Sequence, residues 1–143
     1  MLSREAVFVD TSGWVAPVLR PTADQTPMVR FAQQLQADQR PIITTDDVLN
    51  EVVALLTTGS RGIARLKLIQ FVNQIRISPQ VRVVHVDEQI WNEAWALLER
   101  MSDKSWSWVD ASSFVVMRRL GLTEAFTSGH HFTQAGFVRV PLP

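Results

Sequence analysis

The chain has 143 residues and no cysteine, and its 14 lysines and arginines balance its 14 acidic residues to a formal net charge of +0. The absence of cysteine excludes a disulfide framework, a thiolate zinc site and a cysteine nucleophile. Proteins that bind nucleic acid over their whole surface are usually strongly basic, so any such contact made by this chain must be local. The length and the hydrophobic content of 46% predict one globular domain over residues 1–143.

The first predicted element is a buried strand at residues 6–9 (AVFV), which ends at the turn-type residues 10–13 (DTSG). The apolar part of the N-terminus is too short for a signal peptide or a membrane span. We therefore expect a cytoplasmic protein that is not associated with a membrane.

Helical and strand patterns then alternate along the chain. Helical spacing of apolar residues predicts helices around residues 28–35, 48–56 (ending near Gly59), 63–75, 91–98 and 107–120 (ending at Gly121). The apolar residues that define two of these helices are Ile63, Leu66, Ile69 and Ile75, and Trp91, Ala94, Trp95 and Leu98. Short apolar runs predict strands at residues 41–44, 81–86, 125–127 and 137–140. This alternation predicts an α/β sandwich with a mainly parallel central sheet.

Two clusters of basic residues stand out, namely Arg61, Arg65 and Lys67, and Arg118 and Arg119. They are the candidates for local contact with nucleic acid, but such clusters are more typical of solvated helix faces.

Two acids occupy positions that suggest chemistry. Asp10 directly follows the first predicted strand, and ligands of such sheets bind at the carboxyl ends of the strands. It is also an ordinary residue for a turn or a helix cap. Glu51 lies three residues from Val48 and four from Leu55, so it shares their apolar helix face. A carboxylate there is costly unless it is paired, binds a cation or reaches water at the edge of the face.

Two further acids precede or begin the helix predicted at residues 107–120. Ser107 and Asp110 have the spacing of a capping box, which is a sufficient structural reason for Asp110. Asp110 also shares a face with Phe114 and Met117, which directs it inward. Asp103, in the polar segment before this helix, is either a solvated loop acid or a second acid at the same site.

Together these acids predict a carboxylate cluster drawn from separate elements. Several carboxylates in one pocket need compensating positive charge to stay ionised. Mg²⁺ or Mn²⁺ supplies it, because hard cations prefer oxygen ligands, and such a site is suited to phosphodiester hydrolysis.

The segments that contain these acids resemble the acidic motifs of PIN domains, and the closest branch is that of the VapC-like toxins. The matching segments are residues 9–12 (VDTS), 49–53 (LNEVV) and, most specifically, 103–114 (DKSWSWVDASSF). Residues 125–137 (AFTSGHHFTQAGF) are similar to the closing motif of the family. The resemblance extends from Val7 to Val140.

The resemblance implies a three-layer α/β/α domain and a metal-dependent endoribonuclease that acts on RNA, often transfer or ribosomal RNA. It also implies a homodimer and inhibition by a cognate antitoxin protein. By position, Asp10, Glu51 and Asp110 would hold Mg²⁺ or Mn²⁺. Thr11 or Ser12 would orient ligands or water, and Asp103 would be an auxiliary acid.

One position departs from the family pattern. The family usually has a further Asp where this chain has Gly129. His130 or His131 is a possible replacement, because neutral imidazole binds Mn²⁺, although surface positions are more usual for such histidines. The missing acid leaves open a single-metal site, or a PIN-fold binding module that has lost catalysis.

Other interpretations remain for the tryptophans and for the fold. Trp106 and Trp108 are suited to stacking on unpaired bases, but we expect them to pack in the core or at an interface. An aspartyl-phosphate phosphatase would need an Asp at Ser12. A dinucleotide-binding domain would need a glycine-rich turn after the first strand, which is absent.

Overall fold

The structure is a computed structural model that describes residues 5–19, 26–58 and 62–143. Its strands are β1 (Val7–Val9), β2 (Ile42–Thr45), β3 (Val81–Val84), β4 (Glu124–Phe126) and β5 (Val138–Val140). Its helices are α1 (Thr11–Val15), α2 (Thr26–Ala37), α3 (Asp46–Thr57), α4 (Arg65–Ile77), α5 (Glu88–Arg100), α6 (Trp108–Arg119) and α7 (His131–Gln134). The predicted helix end at Gly59 and the basic residue Arg61 lie outside the described residues.

The five strands form one parallel sheet in the order β3-β2-β1-β4-β5. The central strand β1 pairs with β2 on one side and with β4 on the other. All of its side chains are buried, because both faces of a parallel sheet are covered by helices. The predicted parallel α/β fold is therefore confirmed.

The two faces of the sheet have separate hydrophobic cores. Val7 and Val9 point to one face, where they pack with Met28 and Leu35 of α2. Phe8 points to the other face, where it joins a larger core to which α3, α5 and α6 contribute. The result is the three-layer α/β/α arrangement implied by the resemblance.

Several predicted boundaries differ from the structure. Residues 11–13, predicted as a turn, belong to the short helix α1, and α7 was not predicted. Helix α4 begins at Arg65, after Ile63, and β3 ends at Val84 instead of residue 86. Gly121 has a φ of +66°, which confirms its predicted role in ending α6.

Two predicted apolar helix faces are only partly buried. In α5 the buried residues are Ile90, Ala94 and Leu97, whereas Trp91 and Trp95 are 46% and 49% exposed and stack on each other. In α4 the buried residues are Leu68 and Ile75, whereas Leu66 and Ile69 are exposed. The spacing of large apolar residues predicted the helices correctly. The buried face, however, is formed largely by residues adjacent in sequence to the predicted ones.

No helix in the described ranges is long and apolar enough to cross a membrane.

Candidate active site

A surface cleft of about 400 Å³ opens where β1 and β4 end. Asp10 follows β1, Glu51 comes from the middle of α3, and Asp110 comes from the first turn of α6. All three predicted acids line this cleft, together with Thr11, Ser12, Val15, Ala16, Leu19, Met28, Leu55, Thr127, Ser128, Gly129 and His131. The expectation that separate elements bring these acids to one pocket agrees with the structure.

A second cavity, of about 240 Å³, lies between α2 and α4. Its lining includes Leu35, Phe71 and Ile75, and none of its lining side chains is ionisable. It therefore offers no acid, base or cation ligand from a charged side chain, and the chemistry belongs to the first cleft.

Asp10 is the most strongly perturbed acid of the cleft. Its pKa is raised from 3.8 to about 6, mainly by burial and to a smaller extent by the neighbouring carboxylates of Asp110 and Glu51. The hydrogen bonds from the Thr11 backbone and the Thr127 side chain oppose this rise. The Thr127 hydroxyl donates to Asp10 Oδ2 over 3.0 Å. Within the described residues, no positively charged side chain is among the groups that mainly shift the pKa of Asp10.

Helix α1 brings two hydroxyl groups to the cleft, and Gly13 allows it to approach the sheet. A Cβ on Gly13 would lie 2.7 Å from the Phe126 carbonyl oxygen and 3.0 Å from a Val9 methyl group. Only glycine fits this contact, which is a physical reason for a glycine directly after Asp10-Thr11-Ser12. Sequence reasoning interpreted the same glycine as a sign of a turn.

The hydroxyl groups of Thr11 and Ser12 have different roles. Thr11 donates to Glu51 Oε1 over 2.5 Å and so fixes one oxygen of that carboxylate. Ser12 Oγ accepts a hydrogen bond from the Ser128 backbone N–H at 2.9 Å and lies 3.2 Å from Thr127 Oγ1. Ser12 thus joins α1 to the segment that follows β4. Its hydrogen-bonding partners in the described residues are Thr127 and Ser128, and not the acids of the cleft.

Asp110 is held at its position by the start of its own helix. The predicted capping box is present: Ser107 Oγ accepts from the Asp110 N–H at 3.0 Å, and Asp110 Oδ2 accepts from the Ser107 N–H at 2.9 Å. His131 Nδ1 lies 2.7 Å from the same Oδ2. Capping and the inward orientation, which were alternatives in the sequence, are both satisfied because the cap uses a single carboxylate oxygen.

The remaining predicted residues do not share this position. Asp103 is 70% exposed, pairs with Lys104 and does not line the cleft, so its expected part in the same site is not supported. His130 is exposed, as expected, whereas His131 lines the cleft and was expected to be a surface residue. The sequence offered His131 only as a possible replacement for the missing acid, because its place in the cleft depends on how α7 packs through the buried Phe132.

Gly129 lines the cleft at the position where the family usually has an acid. Its φ lies outside the positive range, and a Cβ there would meet only Thr127 Oγ1, at 3.6 Å. A side chain can therefore be built at this position without strain. The backbone therefore does not require glycine at this position, and it would accept a carboxylate side chain.

Trp106 and Trp108 are both packed against the protein. Trp106 is buried in the core, and its indole N–H donates to Gln134 Oε1 over 2.9 Å. Trp108 is half-buried against Trp91, with ring centroids 4.8 Å apart, and its indole N–H donates to Asp47. The expectation of packing is confirmed for both tryptophans.

The oxygen-rich lining of the cleft fits a hard divalent cation. The side chains of Thr127, His131 and Thr11 contact Oδ2 of Asp10, Oδ2 of Asp110 and Oε1 of Glu51, respectively. The pKa of Asp10 is raised mainly by desolvation and to a smaller extent by the nearby carboxylates, and a bound cation would offset both effects. Across the described ranges no three acid or histidine side chains are already gathered around one point, so an ion would have to draw the carboxylates closer together.

Comparisons with known proteins agree with this geometry. The PIN domain family matches residues 7–138. The chain is also 36% identical over 137 residues to the 23S rRNA-specific endonuclease VapC20 of Mycobacterium tuberculosis, covering 94% of this chain and 97% of that protein. The chain belongs to the PIN-domain family. The PIN-type fold and the VapC-like endoribonuclease toxin predicted from the sequence are thereby confirmed.

Solved structures of PIN-domain size show the same fold. The crystal structure of VapC20, described as a sarcin-ricin loop cleaving toxin, superposes with a TM-score of 0.78 at 35% identity and covers 92% of this chain and 96% of its own. FitAcB from Neisseria gonorrhoeae gives a TM-score of 0.63 at 14% identity, covering 93% of this chain and 95% of its own. FitAB bound to a DNA fragment gives 0.62 at 17%, covering 93% and 92%. The last two likenesses concern the fold alone.

Proposed function

We propose that this chain cuts RNA with the help of Mg²⁺ or Mn²⁺, which is held by Asp10, Glu51 and Asp110. The observation that carries the proposal is the convergence of these carboxylates, from three separate elements, on one cleft. Their mutual repulsion contributes to the raised pKa of Asp10, as expected for a site that awaits a cation.

The protein side of the mechanism is the orientation of the acids. Thr127 holds Asp10, Thr11 holds Glu51, and the Ser107 N–H with His131 holds Asp110. Each of these hydrogen bonds fixes one carboxylate oxygen. Because a carboxylate is planar, the position of its second oxygen is then restricted as well. Such partners around metal-binding carboxylates commonly decide both affinity and activity.

The bound cation would supply an activated water and stabilisation of the leaving oxygen. It would also reduce the repulsion between the acidic cleft and an RNA phosphate. The formal net charge of +0 offers no general attraction for RNA, so the cation and local contacts must provide it.

We propose a loop of ribosomal RNA as the substrate class. The support is the 36% identity, over nearly the full length, to a protein named as 23S rRNA-specific. Transfer RNA, which the family resemblance also implied, is the alternative substrate.

We further propose that the chain acts as a cytoplasmic homodimer and that a cognate antitoxin inhibits it. This rests on its resemblance to VapC-like toxins and on the VapC20 structure being that of a toxin. Growth of bacteria expressing the chain, with and without the small protein encoded beside it, tests the antitoxin. Light scattering on the purified chain tests the dimer.

The decisive experiment is cleavage of purified ribosomal RNA and of transfer RNA in Mg²⁺, in Mn²⁺ and in excess chelator. We expect discrete cleavage of ribosomal RNA that requires a cation. Undiminished cleavage in chelator would refute the metal-dependent mechanism, and cleavage of transfer RNA alone would refute the substrate class.

A binding module without catalysis is a second candidate, favoured by one observation. Gly129 leaves the cleft without the further acid that the family usually has there. Such a module would bind RNA or an antitoxin but would cut no RNA with either cation. The same cleavage experiment, with RNA binding measured in parallel, separates the two functions.

A further inference from the structure

Asp47 is an acid at the start of α3 that the active-site proposal does not use. Its Oδ2 accepts a hydrogen bond from the Trp108 indole N–H at 2.9 Å and another from Ser112 Oγ at 3.0 Å. Both donors belong to α6, the helix that carries Asp110. A single carboxylate oxygen therefore joins the first turn of α3 to the first two turns of α6.

The helix geometry relates this contact to the active site. Residues four apart share a helix face, so Asp47 lies on the same side of α3 as Glu51, and Trp108 lies on the same side of α6 as Ser112. Asp110 is two residues from each of these donors, so it points to the opposite side of α6. The hydrogen bonds of Asp47 thus hold the back of the turn whose front presents Asp110 to the cleft.

We infer that Asp47 is a positioning residue that sets the separation between the carboxylates of Glu51 and Asp110. The inference rests on the proposed function, in which these two acids hold one cation. Asp47 holds α3 and α6 in a fixed relative position. Glu51 and Asp110 cannot do this themselves, because each is fixed only to its own helix. Metal affinity responds strongly to such spacing, because an ion needs its ligands at defined distances.

The remaining contacts of α6 explain why the loss of Asp47 should displace the helix without unfolding it. The capping box of Ser107 and Asp110 keeps the first turn helical, and Trp91 packs against the Trp108 ring. Ser112 has an alternative acceptor in the Val109 carbonyl oxygen, at 3.2 Å. The indole N–H of Trp108 is the group that loses its described partner, so α6 is released at its N-terminal end.

Asp46 provides a matched control on the same helix. It is also an acid in the first turn of α3, but it accepts hydrogen bonds from the Val86 N–H, from His85 and from the backbone N–H of Asp47. None of these donors belongs to α6. Removing Asp46 tests the loss of an acid and of helix stability at this position. It removes one hydrogen bond to the Asp47 backbone but keeps the Asp47 carboxylate that Trp108 and Ser112 contact.

The experiment measures Mn²⁺ binding by calorimetry, the ¹⁵N signal of the Trp108 indole and RNA cleavage, all on the full chain. For Asp47→Ala we expect a shifted indole signal and a Mn²⁺ affinity that is reduced about tenfold, the scale found for partners of metal ligands. For Asp47→Asn, whose Oδ1 can accept both hydrogen bonds, we expect affinity close to wild type. For Asp46→Ala we expect unchanged Mn²⁺ affinity of the folded protein.

Trp108→Phe tests the same contact from the other helix. It removes the indole donor but keeps an aromatic ring against Trp91, and it should reduce Mn²⁺ affinity in the same direction as Asp47→Ala. If both variants bind Mn²⁺ as Asp46→Ala does, the inference is wrong while the proposed function stands. If the wild-type chain binds no Mn²⁺ and cuts no RNA, the proposed function is wrong, and the positioning role falls with it.

Discussion

The acids of the cleft and the acids of the outer surface differ in what surrounds them. Glu93 pairs with Arg119 over 2.6 Å, and this hydrogen bond holds the pKa of Glu93 below its usual range. Asp10 is half-buried beside other carboxylates, and desolvation is the main cause that raises its pKa to about 6. Within the described residues, the protein pairs the surface acid with a cation, whereas Asp10 has no such partner, and this difference supports the proposal that the cleft binds a divalent cation.

The largest expected effect is the loss of RNA cleavage when one negative charge is removed from the cleft, compared with the removal of one from the outer surface. Asp10→Asn keeps the shape of the side chain, and we expect RNA cleavage to fall between about 100- and 1,000-fold, as when one positioned group is lost from an active site. Glu93→Gln should leave cleavage unchanged. The measurement is the single-turnover rate in saturating Mn²⁺, and equal rates for the two variants would contradict the distinction between the regions.

The uncompensated charge of Asp10 should also destabilise the metal-free protein at neutral pH. Because its folded pKa is about 6 against an ordinary 3.8, the folded state holds this proton more tightly, and the contribution of Asp10 to stability falls as the pH rises from 3.8 through 6. We expect Asp10→Asn to raise the unfolding free energy by up to about 3 kcal/mol at pH 7.5. The gain should nearly disappear at pH 3.5, where Asp10 is protonated in the folded state and mostly protonated in the unfolded state.

Denaturant unfolding at the two pH values, in the presence of chelator, measures this gain. Saturating Mn²⁺ should reverse the order of the two proteins, because only the wild type binds the ion well. A variant that is less stable than the wild type in chelator at pH 7.5 would contradict the proposed electrostatic origin.

Removing the cation that pairs with an acid should lower the free energy of unfolding, whereas removing the Asp10 charge should raise it. Arg40 is buried, with its guanidinium donating to Glu124 Oε1 over 2.7 Å and to the Glu5 carbonyl oxygen over 2.9 Å. We expect Arg40→Gln to cost about 2 kcal/mol of unfolding free energy. Cleavage by the folded protein should not change, and a loss of cleavage at full folding would show that this pair also supports the cleft.

The smallest expected effect concerns the position without an acid. Gly129→Asp adds a carboxylate to the cleft where the backbone tolerates a side chain, so it should tighten Mn²⁺ binding several-fold and raise cleavage. Gly129→Asn is the control, since it adds similar bulk without charge. Calorimetry that gives equal affinities for the two variants would show that the site is already complete, with His131 as the nearest compensating residue.

The acids of the cleft could be predicted from the sequence because each occupies a position that pattern alone makes unusual. Glu51 falls on an apolar helix face and Asp10 directly follows a buried strand. Their order along the chain then matched one family. His131 and Asp47 carry no such pattern, since their roles depend on which elements meet in space.

The errors in the fold have a similar origin. Residues 11–13 are typical of a turn, yet they form α1 because Gly13 lets a helix pack against Phe126. Trp91 and Trp95 have the spacing of a buried face, yet smaller residues of α5 face the core and the two rings stack on the surface. Residue type and spacing predicted these elements. Packing between residues distant in sequence decided whether a segment is a turn or a helix and which helix face is buried.

The hydrogen bond between Thr127 and Asp10 joins residues 117 positions apart, and it has a consequence for the synthesis of the protein. Strand β1 is synthesised more than 100 residues before its partner β4 and the loop that carries Thr127. Contacts so distant in sequence form late in folding, because the chain between them must be closed first. A nascent chain that has not yet reached Thr127 therefore lacks the hydrogen bond that orients Asp10, and the cleft is completed only after β4 has been made.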